Sequence, residues 1–126
     1  MRSSADFSTT VRSGARSGRR NVVLYARGRT TPGTTVPTRF GFIVSKAVGN
    51  AVTRNLVKRR LRAVAAQALS HRGVNYDVVV RALPSAATAG WTELSAEMAE
   101  ALEKACRAAD RKAASGRAGK DNDGIA

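Results

Sequence analysis

The chain holds one cysteine (Cys106), one histidine (His71), three prolines, few aromatic residues and only nine acids. A single cysteine excludes a disulfide framework and a cysteine-built zinc knuckle, and simple packing is the role expected of its thiol. His71 has no companion ligands in the sequence. It follows a helical stretch near Gly73 and is expected to serve as a partner for a helix C-terminus rather than as a catalyst or metal ligand. No apolar run approaches the roughly 18 residues of a spanning helix, and the N-terminus lacks the apolar core of a secretory signal. The expected compartment is therefore the cytoplasm, with no membrane partner. There is no glycine-rich phosphate loop, nucleophile elbow or His-Cys-carboxylate cluster, so no catalytic side chain, metal site or protein-bound cofactor is expected.

What is present in excess is positive charge. Against the nine acids stand 22 Lys+Arg, a formal net charge of +13 in 126 residues. The imbalance is concentrated: fourteen of the bases and one acid, Asp6, lie in residues 1–62, whereas the remainder has eight of each. Such a field exceeds what solubility requires and predicts a polyanionic partner. The chain has room for one domain, 1–113, followed by a tail, 114–126, with nothing to bury and expected to be disordered.

Hydrophobic periodicity predicts a short helix over 3–11, with Phe7 and Val11 on one face. A Gly/Arg-rich turn leads to a strand over 21–27, whose faces are Val22, Leu24, Ala26 and Val23, Tyr25, Arg27. The stretch "GRTTPGTTVPT" predicts a flexible hairpin-like loop. A strand over 38–46 alternates Phe40, Phe42 and Val44 with Arg39, Gly41, Ile43 and Ser45. A helix over 50–69, capped by Asn50 after a turn at Gly49, places Val57, Leu61, Val64 and Ala68 on one stripe. A strand over 76–83 ends at Pro84, and a last amphipathic helix runs from Trp91 to about Lys112. The order predicts an α+β fold, helices packed on a small mixed sheet.

On the helix over 50–69, Arg54, Lys58 and Arg62 recur at i, i+4 and i+8 beside Asn55 and Arg59, opposite the apolar stripe. Ordinary solvated faces carry carboxylates at i±4, yet no acid occurs between Lys46 and Arg62. Like charges at that spacing oppose a helix by a few tenths of a kcal/mol per pair, which points to neutralisation by nucleic acid. Glu93, Glu97, Glu100 and Glu103 on the last helix have the spacing of a solvated face rather than of a metal site. If Leu24 faces the core, Tyr25 faces the opposite side of the sheet, where the first helix frames a groove suited to stacking a base of single-stranded nucleic acid.

The stretch "SKAVGNAVTRNLVKRRLR", with "GRRNVVLY", "RFGFIVSK" and "DVVVRALPSA", resembles the protein component of bacterial ribonuclease P. That resemblance implies a ribosomal S5 domain 2-like fold with a left-handed βαβ crossover. It implies an RNA subunit as partner, which with its own Mg²⁺ performs the hydrolysis that removes the 5′ leader of precursor tRNA, and no obligate protein partner. It implies RNA contacts by Lys46, Asn50, Arg54, Asn55, Lys58, Arg59 and Arg62, and a leader-binding groove formed by Phe7, Val11, Val23, Tyr25 and Ser45. Leu56 stands where the family often has Arg, and Val11 where a second aromatic is common. Two alternatives follow from the charge alone: a ribosomal or assembly RNA-binding module without a role in cleavage, and a DNA-binding protein using 50–69 as a recognition helix.

Overall fold

The computed structural model describes residues 4–28, 36–68 and 75–125, with side chains described for 8–28, 36–68 and 75–112. His71 and most of the loop expected after the first long strand lie outside the described residues.

Helix α1 (Ser4–Ser13) leads into β1 (Ala15–Gly18) and β2 (Val22–Gly28); β3 (Arg39–Ile43), α2 (Ala51–Ala68), β4 (Tyr76–Ala82) and α3 (Trp91–Ile125) follow. The four strands form one sheet in the order β1-β2-β4-β3. β2 is antiparallel to both neighbours, while β3 runs parallel to β4 and reaches it through α2. This is the mixed sheet with packed helices that the periodicity predicts.

Alternation along the strands gives the sheet two different faces. Val22, Leu24 and Ala26 of β2 and Val78, Val80 and Ala82 of β4 join the main core with Val57, Leu61 and Val64 of α2 and Leu94, Met98, Leu102 and Cys106 of α3. Phe40, Phe42 and Val44 pack against its margin. Burying each such Leu or Val contributes about 1.5–3 kcal/mol. The opposite face is crossed by α1, which packs on β2 and β4. There Val23 and Val79 are buried outside the main core, and so is Thr10 of α1. The close approach requires Gly14: a Cβ at that position would stand 2.3 Å from the Thr10 carbonyl oxygen and 2.9 Å from that of Ala26.

The structure differs from the sequence reading in four places. Residues 15–18, read as part of a turn, form β1; with no β-branched or aromatic residue they carry no strand signal, and pairing with β2 supplies the order. The second predicted strand stops at Ile43, because its partner β4 ends its parallel register at Arg81 and the chain then turns, Val48 N–H donating to the Ser45 carbonyl at 3.1 Å. Pro84, expected only to end a strand, also opens a 3-10 turn, Pro84–Ala87. The last helix continues past Lys112, so the segment 114–126, expected to be disordered, has helical backbone as far as Ile125. No proline interrupts that stretch.

Candidate nucleic-acid interface

Helix α2 begins where its sequence allows the first turn to be closed. Asn50 Oδ1 accepts the Thr53 N–H at 2.9 Å, satisfying one of the orphan donors of the helix start. A Cβ on Gly49 would stand 2.9 Å from Thr53 Cγ2, so the entry turn is tight as well as capped. Val57, Leu61, Val64 and Ala65 are buried and set the helix rotation. That rotation leaves Asn55, Arg59 and Arg62 exposed and Arg54 and Lys58 half-buried along one flank, where stems can pack while charged heads reach water. Lys46 and Asn50 are exposed at the entry to the same helix. Among the described residues none of Arg54, Lys58, Arg59, Arg60 and Arg62 has a carboxylate partner. α2 thus presents a cationic flank to which the described residues offer no counter-charge.

The second candidate surface is the sheet face under α1. Register places its side chains in cross-strand rows: Ile43, Arg81, Val23 and Gly18 in one, Gly41, Val79, Tyr25 and Arg16 in the next, Arg39, Asp77 and Arg27 in the third. Tyr25 is half-buried on this face, opposite to Leu24, as the alternation predicts. Val23 is only 5% exposed and serves as floor, whereas Val11 of α1 is 37% exposed. Between α1 and β3 opens a groove of about 470 Å³ lined by Ser8, Val11, Arg12 and Ile43. Ser45 is exposed just beyond the end of β3. The Phe7 side chain lies outside the described residues.

Two features of this face escaped the sequence reading. Asp77, fully buried, accepts hydrogen bonds from Arg39 Nε and Nη2, both at 2.9 Å, and from Arg27 Nη2 at 3.0 Å. Its charge is thereby satisfied, and the two guanidinium groups are fixed at the end of the face away from Arg81. Arg12 and the exposed Arg81 also border the face. The alternation of Asp77, Val79 and Arg81 against Val78 and Val80 carries that signal for β4, and the i,i+1 position beside Val11 carries it for Arg12.

The acids of α3 do not form a site. Glu97 accepts the Asn21 N–H at 2.8 Å and a second hydrogen bond from Asn21 Nδ2, so it anchors the start of β2 instead of simply facing solvent. Glu103 pairs with Arg107 at 3.0 Å and Glu100 with Arg19 at 3.5 Å. Among the described residues no group of three His, Cys, Asp or Glu gathers to hold a metal ion, and no helix is long and apolar enough to cross a membrane.

The arrangement is therefore a capped basic helix without counter-charges beside a sheet face that combines an aromatic ring, small apolar side chains and arginines. Such a combination suits RNA better than a small metabolite. Solved structures share the fold. The chain is similar to the RNase P protein of Staphylococcus aureus, with a TM-score of 0.66, 28% identity and coverage of 86% of this chain and 93% of that one. It also superimposes on the RNase P protein from Thermotoga maritima with a TM-score of 0.71 at 19% identity, covering 82% and 94% of the two chains. Among curated relatives, the ribonuclease P protein component of Kocuria rhizophila is 59% identical over 107 residues, 85% of this chain and 91% of that one. With the Ribonuclease P family model matching residues 1–106 as well, the chain belongs to the ribonuclease P protein family.

Proposed function

We propose that this chain is the protein subunit of a ribonucleoprotein that removes the 5′ leader of precursor tRNA, with the RNA subunit and its Mg²⁺ carrying out the hydrolysis. The observation that carries this reading is the cationic flank of α2, five basic side chains with no carboxylate partner among the described residues, in a chain of this family. A ribosomal or assembly module is not favoured, because the relatives are ribonuclease P proteins along most of their length. A recognition helix for duplex DNA is not favoured for the same reason.

In this reading Arg54, Asn55, Lys58, Arg59 and Arg62, with Lys46 and Asn50 at the entry to α2, hold phosphates of the folded RNA subunit. Most of the affinity is electrostatic, since each neutralised phosphate releases condensed counterions. The leader, being single-stranded, follows the groove between α1 and the sheet. Tyr25 offers a face for one base, Val23 forms the floor, Val11 and Ser45 shape the walls together with Phe7, and Arg12 and Arg81 supply counter-charge to the leader backbone. The protein's contribution to cutting is positional: it holds leader and RNA subunit in one register and lowers local repulsion between two polyanions, so that less Mg²⁺ is required. The expected compartment is the cytoplasm, where the precursors are made.

Reconstitution tests the reading. RNA-free protein is expected to leave precursor tRNA intact, and mixing it with the RNase P RNA is expected to restore cutting at low Mg²⁺. Tyr25→Ala in that holoenzyme is expected to weaken precursor tRNA by about 1–3 kcal/mol while leaving mature tRNA almost untouched. Equal losses for both tRNAs together with a lowered melting temperature would assign Tyr25 to packing, and cleavage by rigorously RNA-free protein would overturn the division of labour.

A further inference from the structure

A second cationic surface lies away from α2, along the sheet edge whose Arg16 also borders the face crossed by α1. β1 is an edge strand, paired on one side only, and α3 packs both against it and against α2. Along that free edge runs a groove of about 400 Å³ lined by Arg16, Ser17, Gly18 and Arg19 from β1 and its turn, and by Lys104, Ala108 and Arg111 from α3. The three α3 residues recur at i, i+4 and i+7, so they share one helix face, and the small Ala108 leaves the floor open between two cations. Gly18 adds no side chain to the opposite wall.

Four cations therefore line one groove, and their neutralisation inside the fold is slight. Arg16, Lys104 and Arg111 are exposed and have no carboxylate partner among the described residues. Only Arg19 has an acid nearby, Glu100 at 3.5 Å, while its Nη1 donates to the Gly18 carbonyl at 2.9 Å; these contacts hold the guanidinium in place. The groove also contains an unused polar group: Ser17 is 7% exposed, and its Oγ has no hydrogen-bond partner among the described residues. A buried hydroxyl without a partner costs about 1–3 kcal/mol, which an acceptor entering the groove offsets. Backbone groups on the outer side of an edge strand are also free to bond an incoming partner.

We propose that the groove between β1 and α3 is a second RNA-binding site, which takes consecutive phosphodiester groups of an RNA strand between Arg16 and Arg19 on one side and Lys104 and Arg111 on the other. Guanidinium forks match phosphate oxygens in pairs, and Ser17 Oγ donates to one of them. This rests on the reading of the chain as an RNA-binding subunit. It goes further by assigning the protein a phosphate-holding surface besides the α2 flank and the α1 groove, so that one small protein engages a further RNA segment. The shared ligand chemistry is the phosphodiester backbone, and its source is either the RNA subunit or the substrate.

Lys104→Gln/Arg111→Gln in the full chain separates these sources. Both side chains are exposed, so the melting temperature is expected to stay unchanged. Affinity is measured by filter binding over a salt series, for the RNase P RNA transcript and, in the reconstituted holoenzyme, for precursor tRNA. The proposal predicts a loss of about tenfold for one of these RNAs, with the log–log salt slope reduced by about 1.4–1.8. Loss for the transcript assigns the groove to the RNA subunit; loss for precursor tRNA alone assigns it to the substrate. Arg16→Gln, on the opposite wall, is expected to give about half the slope change for the same RNA, and it decides the matter should the α3 variant unfold. Unchanged affinity and slope for both RNAs would overturn the proposal. Arg59→Ala/Arg62→Ala run in parallel keeps the two readings apart: if it weakens the transcript while the groove variants do not, the second site falls and the α2 interface stands.

Discussion

Helices α2 and α3 pack against the same face of the same sheet and against each other, yet their outer faces are opposites. On α3, Glu103 pairs with Arg107 one turn on, Glu97 holds Asn21 and Glu100 meets Arg19. Those charges are used within the fold. On α2 the first turn has no acid and the cations have no carboxylate partner among the described residues. The paired face of α3 is stabilised by its own charges, while Lys104 and Arg111, on its side toward β1, stay without a carboxylate partner among the described residues; on α2 the cations repel one another and the helix is held by its buried stripe. The difference marks α2 as the helix whose outer face carries unmatched charge.

If that contrast is right, the inner faces should behave alike and the outer faces should not. The largest effect is expected on the inside. Leu61→Ala on α2 and Leu102→Ala on α3 each remove a fully buried side chain and should destabilise by about 3–5 kcal/mol in denaturant titration. A cost near zero for Leu61 would mean that α2 is docked by something other than its apolar stripe. Next in size is Asp77→Ala, which releases Arg27 and Arg39 on the sheet face crossed by α1. Because both arginines remain about one-third exposed and can be rehydrated, the loss should be about 2–3 kcal/mol, below that of a fully buried pair. Asn50→Ala removes the α2 cap and should cost about 1 kcal/mol. The smallest effects have opposite signs. Lys58→Gln relieves repulsion from Arg54 and Arg62 and should raise stability by a few tenths of a kcal/mol, whereas Glu103→Gln breaks an exposed pair and should lower it by a similar amount. Two shifts of the same sign in low-salt thermal melts would erase the distinction between the helices.

Much of this was legible in the sequence because its signals are local. The start of α2 is written in Gly49 and Asn50, its rotation in Val57, Leu61 and Val64, and its cationic flank in the absence of any acid from Lys46 to Arg62. The faces of β2 follow from strict alternation, which placed Tyr25 opposite Leu24. What was not legible depends on partners distant in the chain. β1 has no strand-forming residue and exists through its register with β2, Ala15 opposite Ala26. Glu97 reads as one more solvated acid until the fold brings Asn21 to it across 76 positions. Asp77 looks like a polar break in a strand until Arg27 and Arg39 arrive from neighbouring strands. The groove along β1 joins residues 16–19 to 104–111, and no periodicity relates segments so far apart.

The central claim is that the α2 flank holds RNA phosphates, and the salt dependence of RNA affinity reads it most directly. Filter binding of the RNase P RNA to the wild-type chain and to Arg59→Ala/Arg62→Ala, over a salt series, should give a double variant that melts normally, binds more weakly and has a log–log slope lower by about 1.4–1.8, one phosphate contact for each arginine. A variant with wild-type affinity and slope would contradict the account and return these arginines to an ordinary solvated face.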